Sequence, residues 1–171
     1  SLLPMNLLGA ARRAAYADSG YWARRAMDEA GKQAEIVVAA RHPGDLPLAA
    51  PQLVGWHLPA DCGYCHITPN ATADGLAYPA LPDTGELPLV ADCTSCFLTA
   101  PLDVGRFGVI YASAQKNIGP AGLTIVIVRD DLLTRSGPAL PAPFSYRIQA
   151  EQDSCCNTPP TWAIAIPSRF G

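Results

Sequence analysis

Lys116 is the residue of this sequence best placed for covalent chemistry. It sits in a turn rich in glycine and proline, between two apolar runs at 109–114 and 123–128. Both runs are rich in β-branched and aromatic residues, as buried strands are. Desolvation between two such strands favours the neutral, nucleophilic form of an amine. We therefore predict a lysine that forms a Schiff base with an aldehyde cofactor, against the ordinary alternative of a solvated loop lysine.

A carboxylate, Asp92, follows a short hydrophobic run at 89–91. An aspartate at a strand end commonly caps a turn. It can also pair with the ring nitrogen of a pyridine cofactor, which keeps the ring able to accept electrons from a substrate carbanion. Asp92, Lys116 and Thr72 all follow strand-like segments. Because ligands gather at the carboxyl ends of strands in α/β sheets, we expect these three side chains to converge.

The segment 114–123, with the sequence AQKNIGPAGL, carries a family resemblance. It resembles the cofactor-lysine segment of the phosphoserine aminotransferases, class-V enzymes of the aspartate-aminotransferase fold that use pyridoxal 5′-phosphate (PLP). Weaker matches extend from position 4 to about 162. The resemblance implies that Lys116 is the catalytic Schiff-base lysine. It also implies that Asp92, in the segment ADCTS, is the partner of the cofactor's ring nitrogen.

The resemblance assigns further residues to the cofactor. It implies that Trp22, after Gly-Tyr, stacks on the ring, although a tryptophan there is usually core packing. Thr72, in the segment PNAT, is implied to bind near the ring hydroxyl, although Ala71 stands where the family has glutamate. Gln115 is implied to bind the cofactor phosphate.

The segment Asn157-Thr158-Pro-Pro matches the family's Asn-Thr-Pro-Pro. In the family this segment reaches the phosphate bound in the neighbouring subunit, which implies a homodimer. Free amides at a helix start suit an anion. Two further family matches, His66 and Arg106, are interpreted as packed and structural residues, since a lone strand histidine is more often packed than catalytic.

The activity that the resemblance implies is PLP-dependent transamination in serine biosynthesis. Phosphoserine and 2-oxoglutarate interconvert with 3-phosphohydroxypyruvate and glutamate, with the Lys116 amine as general base and acid. The implied fold is α/β, part of the large domain of fold-type-I PLP enzymes, with a central, mainly parallel sheet flanked by helices.

Family members are considerably longer than this chain. The Gly-rich phosphate-binding segment with its arginine, the substrate-binding arginine and the small C-terminal domain have no counterpart. We therefore interpret 1–171 as a single, partial PLP-binding large domain without the small C-terminal domain. A second hypothesis follows: a non-catalytic fragment or interaction module that retains the fold core.

Two C-x-x-C pairs, Cys62/Cys65 and Cys93/Cys96, suggest a third hypothesis, a zinc site. The alternative interpretation is small, buried, reduced residues. The second pair falls within the segment that matches the family, and the family carries no metal there. We therefore expect no metal and, in a cytosolic chain, no disulfides.

Composition excludes several classes of partner. The formal net charge of -3 argues against a protein that binds nucleic acid by neutralising phosphates. No apolar run is long enough to cross a bilayer. The first ten residues lack the charged start and continuous apolar core of a signal peptide, so we expect a cytoplasmic protein.

The elements that position these residues follow from local patterns. Predicted helices lie at 10–18, 21–33 and 130–134. Predicted strands lie at 35–40, 64–68 and 89–91, and in the two runs beside Lys116. Proline-rich loops are predicted at 42–59, 77–88 and 138–143. A helix start is predicted at 158–160, with Thr158 as its cap.

Overall fold

A computed structural model describes residues 2–41, 50–137 and 139–169, and its central feature is a six-stranded sheet. The sheet strands are β1 (Arg13–Asp18), β2 (Glu35–Arg41), β3 (Cys62–Ile67), β6 (Leu89–Asp92), β7 (Val109–Ser113) and β8 (Thr124–Val128). A short hairpin adds β4 (Asn70–Ala71) and β5 (Leu76–Ala77). The helices are α1 (Leu2–Leu7), α2 (Tyr21–Ala30), α3 (Asp130–Leu133), α4 (Tyr146–Glu151) and α5 (Thr161–Ala165). Short 3-10 helices lie at Val104–Arg106, Ala142–Phe144 and Pro167–Arg169.

The strand order is β2-β1-β3-β6-β7-β8. All neighbouring pairs are parallel except β7 and β8, which are antiparallel. The carboxyl ends of β3, β6 and β7 therefore lie at one edge of the sheet. Helices pack on the sheet, so the predicted mainly parallel α/β architecture is confirmed.

The core lies on both faces of the sheet. Leu7 of α1, Ala30 of α2 and Leu132 of α3 pack on one face with Tyr16 and Val90. On the other face, Ile67, Leu89, Ala91 and Ile110 pack with Phe107. Burial on both faces explains why the central strands are almost continuously apolar.

The predicted helix at 10–18 is wrong, because residues 13–18 form β1, an interior strand of the sheet next to the edge strand β2. Alanine favours helices, which misled the prediction. Five successive residues of β1 are buried, and a short, continuously buried run has no periodicity to separate strand from helix. Helix α1, just before it, was not predicted.

Other sequence predictions fare better. Helix α2, strands β2, β3, β6 and β7, and helix α3 are confirmed to within a few residues. The loops at 77–88 and 50–59 are also confirmed, whereas 42–49 and Pro138 lie outside the described residues. Helix α5 begins at Thr161, with Pro160 before it and no side-chain cap, so Thr158 is not the cap.

Strand β8 is less buried than its sequence predicts. Thr124 and Val126 are exposed, and the other three residues are half-buried. Among the strands of the described residues, β8 lies at the end of the sheet and pairs with β7 alone. The second apolar run beside Lys116 is therefore an edge strand, while the first, β7, is largely buried as expected.

A buried amide joins the first helix to the last third of the chain. Asn6 is fully buried, and its Nδ2 donates to the carbonyls of Leu2 (3.0 Å) and Phe144 (2.8 Å). Its Oδ1 accepts from the Ser136 hydroxyl and the Tyr146 backbone amide, both at 2.8 Å. Asn6 thus satisfies buried polar groups from three segments.

We predict that Asn6→Ala lowers the free energy of unfolding by about 3 kcal/mol, because it leaves several buried hydrogen-bond donors and acceptors without a partner. The control is Asn117→Ala, since the Asn117 side chain is exposed and its Nδ2 donates one hydrogen bond, to the Phe97 carbonyl. Urea denaturation of both variants measures the difference. Equal losses would contradict the prediction.

Candidate active site

A cavity of about 210 Å³ opens at the carboxyl ends of β3, β6 and β7. Four of the residues predicted from sequence line it: Trp22, Asp92, Gln115 and Lys116. Thr72 joins them through a hydrogen bond to Lys116. The expected convergence of the strand ends is therefore present in the fold.

A larger cavity, of about 730 Å³, lies along β8 and α4. Its walls include many apolar side chains and a single charged one, Asp130. Its described lining contains no amine, and its other ionisable groups are the phenols of Tyr111 and Tyr146. The smaller cavity therefore carries the chemistry.

Lys116 lies three residues beyond the end of β7, in a turn closed by the Gly119 amide on the Ala114 carbonyl (2.8 Å). The side chain is exposed, not buried between strands as the sequence suggested, because the turn carries it past the edge of the sheet. Its Nζ donates to Thr72 Oγ1 (3.1 Å) and lies 5.9 Å from the ring centroid of Trp22. The amine is thus held over the cavity by a hydroxyl and an aromatic face.

Asp92 is the last residue of β6 and is half-buried. Its Oδ1 accepts from the Thr94 backbone amide (3.0 Å) and hydroxyl (2.6 Å). The same Thr94 hydroxyl accepts from the Ser113 amide of β7 (3.2 Å). Asp92 therefore does cap a turn, and this turn fixes the direction of its carboxylate at the cavity wall.

The turn that bears Thr72 is attached to two neighbours. Ser95 and Asn70 exchange two hydrogen bonds, which tie the turn to the end of β6. Asp74 accepts from the Tyr21 amide (3.0 Å) at the start of α2. Trp22, in that first turn of α2, is thereby brought near Thr72.

Gly20 is required for this junction. Its φ is +126°, in a region that side chains rarely adopt, and a Cβ there would lie 2.1 Å from an Asp74 carboxylate oxygen. The glycine allows the carboxylate to reach the first turn of α2.

Sequence reasoning missed several residues of the cavity wall, notably Thr68, Thr94 and Tyr111. The Thr68 hydroxyl is buried and has no hydrogen-bond partner within the described part of the chain. A buried, unpaired hydroxyl on a cavity wall is a ready donor or acceptor for a ligand. Its only sequence signal was its position at the end of a strand.

Asn157 and Thr158 do not lie at this cavity. They are exposed, in the segment between α4 and α5. Asn157 bonds to its chain neighbours: Nδ2 donates to the Thr158 carbonyl and Oδ1 accepts from Cys156 Sγ, both at 3.5 Å. Their expected contact with a cofactor therefore requires a second copy of the chain.

The two cysteine pairs pack in different places. Cys62 and Cys65 lie on β3 among residues of β1 and β2, whereas Cys93 packs with the cluster on Phe107. Burial raises the pKa of the Cys65 thiol to about 12, which disfavours the thiolate that zinc binds. Within residues 2–41, 50–137 and 139–169, no group of three His, Cys, Asp or Glu side chains could hold a metal ion. Nothing in that part of the chain supports the zinc hypothesis.

The groups around the smaller cavity match the chemistry of PLP. An indole face suits a flat ring, a carboxylate suits a protonated ring nitrogen, and an amine suits an aldehyde. The unpaired Thr68 hydroxyl is a further group that a polar ligand would satisfy.

Fold and site together define a class of protein. Residues 1–165 match the sequence model of the class-V aminotransferases, and the chain belongs to that family. It is similar to the phosphoserine aminotransferase of Hahella chejuensis (strain KCTC 2396), with 47% identity over 165 residues that cover 95% of this chain and 46% of that protein.

Solved structures agree. A phosphoserine aminotransferase from Bacillus circulans subsp. alkalophilus matches with a TM-score of 0.91 and 39% identity, over 95% of this chain and 45% of that one. A PLP-bound phosphoserine aminotransferase from Trichomonas vaginalis matches with a TM-score of 0.90 and 34% identity, over 99% and 48%. The fold-type-I prediction is confirmed. The chain spans less than half the length of each of these relatives.

We predict that Gly20→Ala lowers the free energy of unfolding by roughly 3 kcal/mol, from backbone strain plus the clash with Asp74. Gly85→Ala is the control, because Gly85 also has a positive φ (+56°) but open space around it. It should cost about 1 kcal/mol. Thermal or urea unfolding measures both, and equal losses would show that the junction with Asp74 tolerates a side chain.

Proposed function

We propose that this chain forms the PLP-binding part of an aminotransferase that interconverts phosphoserine and 2-oxoglutarate with 3-phosphohydroxypyruvate and glutamate, in serine biosynthesis. The observation that carries the proposal is the meeting of the Lys116 amine, the Asp92 carboxylate and the Trp22 ring at one cavity. The substrates are proposed from the similarity to relatives named phosphoserine aminotransferase. They concern the whole protein, of which this chain spans less than half by comparison with those relatives.

When bound, PLP supplies an aldehyde that condenses with amines and a protonated ring that accepts electrons from the substrate. Asp92 would hold the ring nitrogen protonated, with its own orientation fixed by Thr94. Trp22 would cover one ring face and so fix the ring plane. Thr72 would bind near the ring hydroxyl and Gln115 near the phosphate.

Lys116 has two duties in this proposal. Its amine would hold the cofactor covalently. Once the amine of the substrate has displaced it, Nζ would accept the proton from the substrate's α-carbon as general base and give it back as general acid later in the same half-reaction. The Thr72 hydroxyl, 3.1 Å from Nζ, would orient the amine both for holding the cofactor and for transferring the proton.

The assembly we propose is a homodimer. Asn157 and Thr158 would bind the phosphate in the partner's cavity, since they lie away from their own. The neighbouring Trp162 is 75% exposed, which is unusual for so large an apolar side chain and suits an interface.

The setting we propose is the cytoplasm. All six cysteines are free thiols, as in a reducing compartment. None of the helices in the described ranges has the length and hydrophobicity needed to span a membrane.

The chemical test uses the two lysines of the sequence, Lys32 and Lys116. We predict that added PLP gives a visible absorbance band, and that borohydride fixes the label on Lys116. Lys116→Ala should lose the band. Lys32→Ala should keep it, since Lys32 is exposed and paired with Glu29 far from the cavity.

Peptide mapping of the reduced protein reads the result. If Lys32 or the amino terminus carried as much label as Lys116, the result would contradict a specific PLP site at Lys116. A labelled Lys116 without turnover of phosphoserine would favour the non-catalytic fragment that retains the fold core.

The dimer has its own prediction. Asn157→Ala should weaken PLP binding by about tenfold through the loss of a hydrogen bond to an anion. The loss should appear only at protein concentrations where sedimentation shows a dimer. Asn117→Ala, an exposed asparagine near the cavity but outside its lining, is the control. As monomers, wild type and Asn157→Ala should bind PLP equally, whereas as dimers the variant should bind it more weakly than wild type; an equal loss in both states would contradict the proposal.

A further inference from the structure

Polar aromatic side chains form a row on one face of the sheet. His66 of β3 is fully buried and stacks on Tyr16 of β1, with ring centroids 4.7 Å apart and planes at 26°. Its Nε2 lies 3.0 Å from the hydroxyl of Tyr111 on β7. The sequence interpretation of His66 as a packed residue holds, but packing is not its only contact.

The row ends at Asp92. Tyr111 is the register partner of Asp92 in the parallel pair of β6 and β7, so both side chains point to the same face. The pKa of Tyr111 is raised well above its ordinary value, first by burial and then by the charge of the nearby Asp92. Tyr111 therefore keeps its proton, and the carboxylate is the natural acceptor for it.

One arrangement of protons fits this geometry. If Tyr111 donates its only proton to Asp92, its oxygen must accept from His66, and Nε2 must carry a hydrogen. Burial lowers the pKa of His66 to about 4, so the imidazole is neutral and Nδ1 is bare. Nδ1 is indeed buried with no partner among the described residues.

The opposite arrangement is worse on two counts. If Tyr111 donated to His66, its oxygen lone pairs would face the Asp92 carboxylate. Nδ1 would then carry a hydrogen, which would be a buried donor without an acceptor. A bare nitrogen without a partner is the lesser cost.

We propose that His66 and Tyr111 are positioning residues that hold the Asp92 carboxylate through a directed chain, from His66 Nε2–H to Tyr111 and from Tyr111 O–H to Asp92. Asp92 then has donors from β7, through Tyr111, and from its own turn, through Thr94, while His66 of β3 fixes the direction of the Tyr111 hydroxyl. The consequence for the cofactor rests on the proposed function, because it requires that Asp92 faces the PLP ring nitrogen. The proton arrangement itself does not.

The first test needs no cofactor. A variant with His42→Gln and His57→Gln retains His66 as its single histidine. We expect nitrogen-15 NMR at pH 7 to show a neutral ring protonated at Nε2. An imidazolium, or a neutral ring protonated at Nδ1, would overturn the proposed direction of the hydrogen bonds from His66 to Asp92.

The second test compares two tyrosines of the same row. Tyr111→Phe removes the hydroxyl that bridges His66 and Asp92. Tyr16→Phe is the matched control, because it removes a buried hydroxyl that bonds to Tyr64 (2.8 Å) and keeps the ring that stacks on His66. Both variants leave the aromatic packing in place.

We expect Tyr111→Phe alone to shift the carbon-13 resonance of the Asp92 carboxyl and the Nε2–H resonance of His66. With PLP added, it should also weaken binding by roughly tenfold, as expected for a lost hydrogen bond to a charged group. Equal effects of the two variants would overturn the positioning role. If the unmodified protein binds no PLP at Lys116, the proposed function fails. The two NMR readouts still test the hydrogen bonds from His66 to Tyr111 and from Tyr111 to Asp92, because neither readout needs the cofactor.

Discussion

The parallel pairing of β6 with β7 is the constraint on which the site depends. It sets Asp92 beside Tyr111 and ends both strands at one edge, so that the turn after β7 carries Lys116 to the cavity that Asp92 lines. A slip of one residue would turn Asp92 to the opposite face. The Thr94 hydroxyl reinforces this register, because it accepts from the Ser113 amide while it donates to Asp92.

Burial of polar groups is the cost of this arrangement, and hydrogen bonds offset most of it. Tyr16 and Tyr64 bond to each other, and His66 bonds to Tyr111, within a face that is otherwise apolar. Asn6 satisfies buried groups far from the cavity in the same way. Four buried side-chain atoms have no hydrogen-bond partner within the described part of the chain: Arg13 Nε, His66 Nδ1, Thr68 Oγ1 and Tyr78 Oη. Of these residues, Thr68 lines the cavity, where its hydroxyl is available to a ligand.

Much of this could be predicted from the sequence, for physical reasons. The strands beside Lys116 and helix α2 have strong local patterns, and strand ends of a parallel sheet meet by topology alone. Other features depend on long-range contacts. The alanines of β1 favour a helix by local propensity, and only their burial within the sheet makes them a strand. The exposure of β8 and Lys116 depends on where the sheet ends. Thr68 and Tyr111 carry no motif of their own, because their importance comes from neighbours on other strands.

The central claim is that Lys116 and Trp22 act on one PLP molecule. The most direct measurement is fluorescence of a variant with Trp56→Phe and Trp162→Phe, which leaves Trp22 as the single tryptophan. Added PLP should quench Trp22 strongly, because the ring would lie against the indole, and Lys116→Ala in the same background should greatly reduce the quenching at equal PLP. Quenching that is indifferent to Lys116, or matched by a variant that retains only the exposed Trp162, would contradict the account.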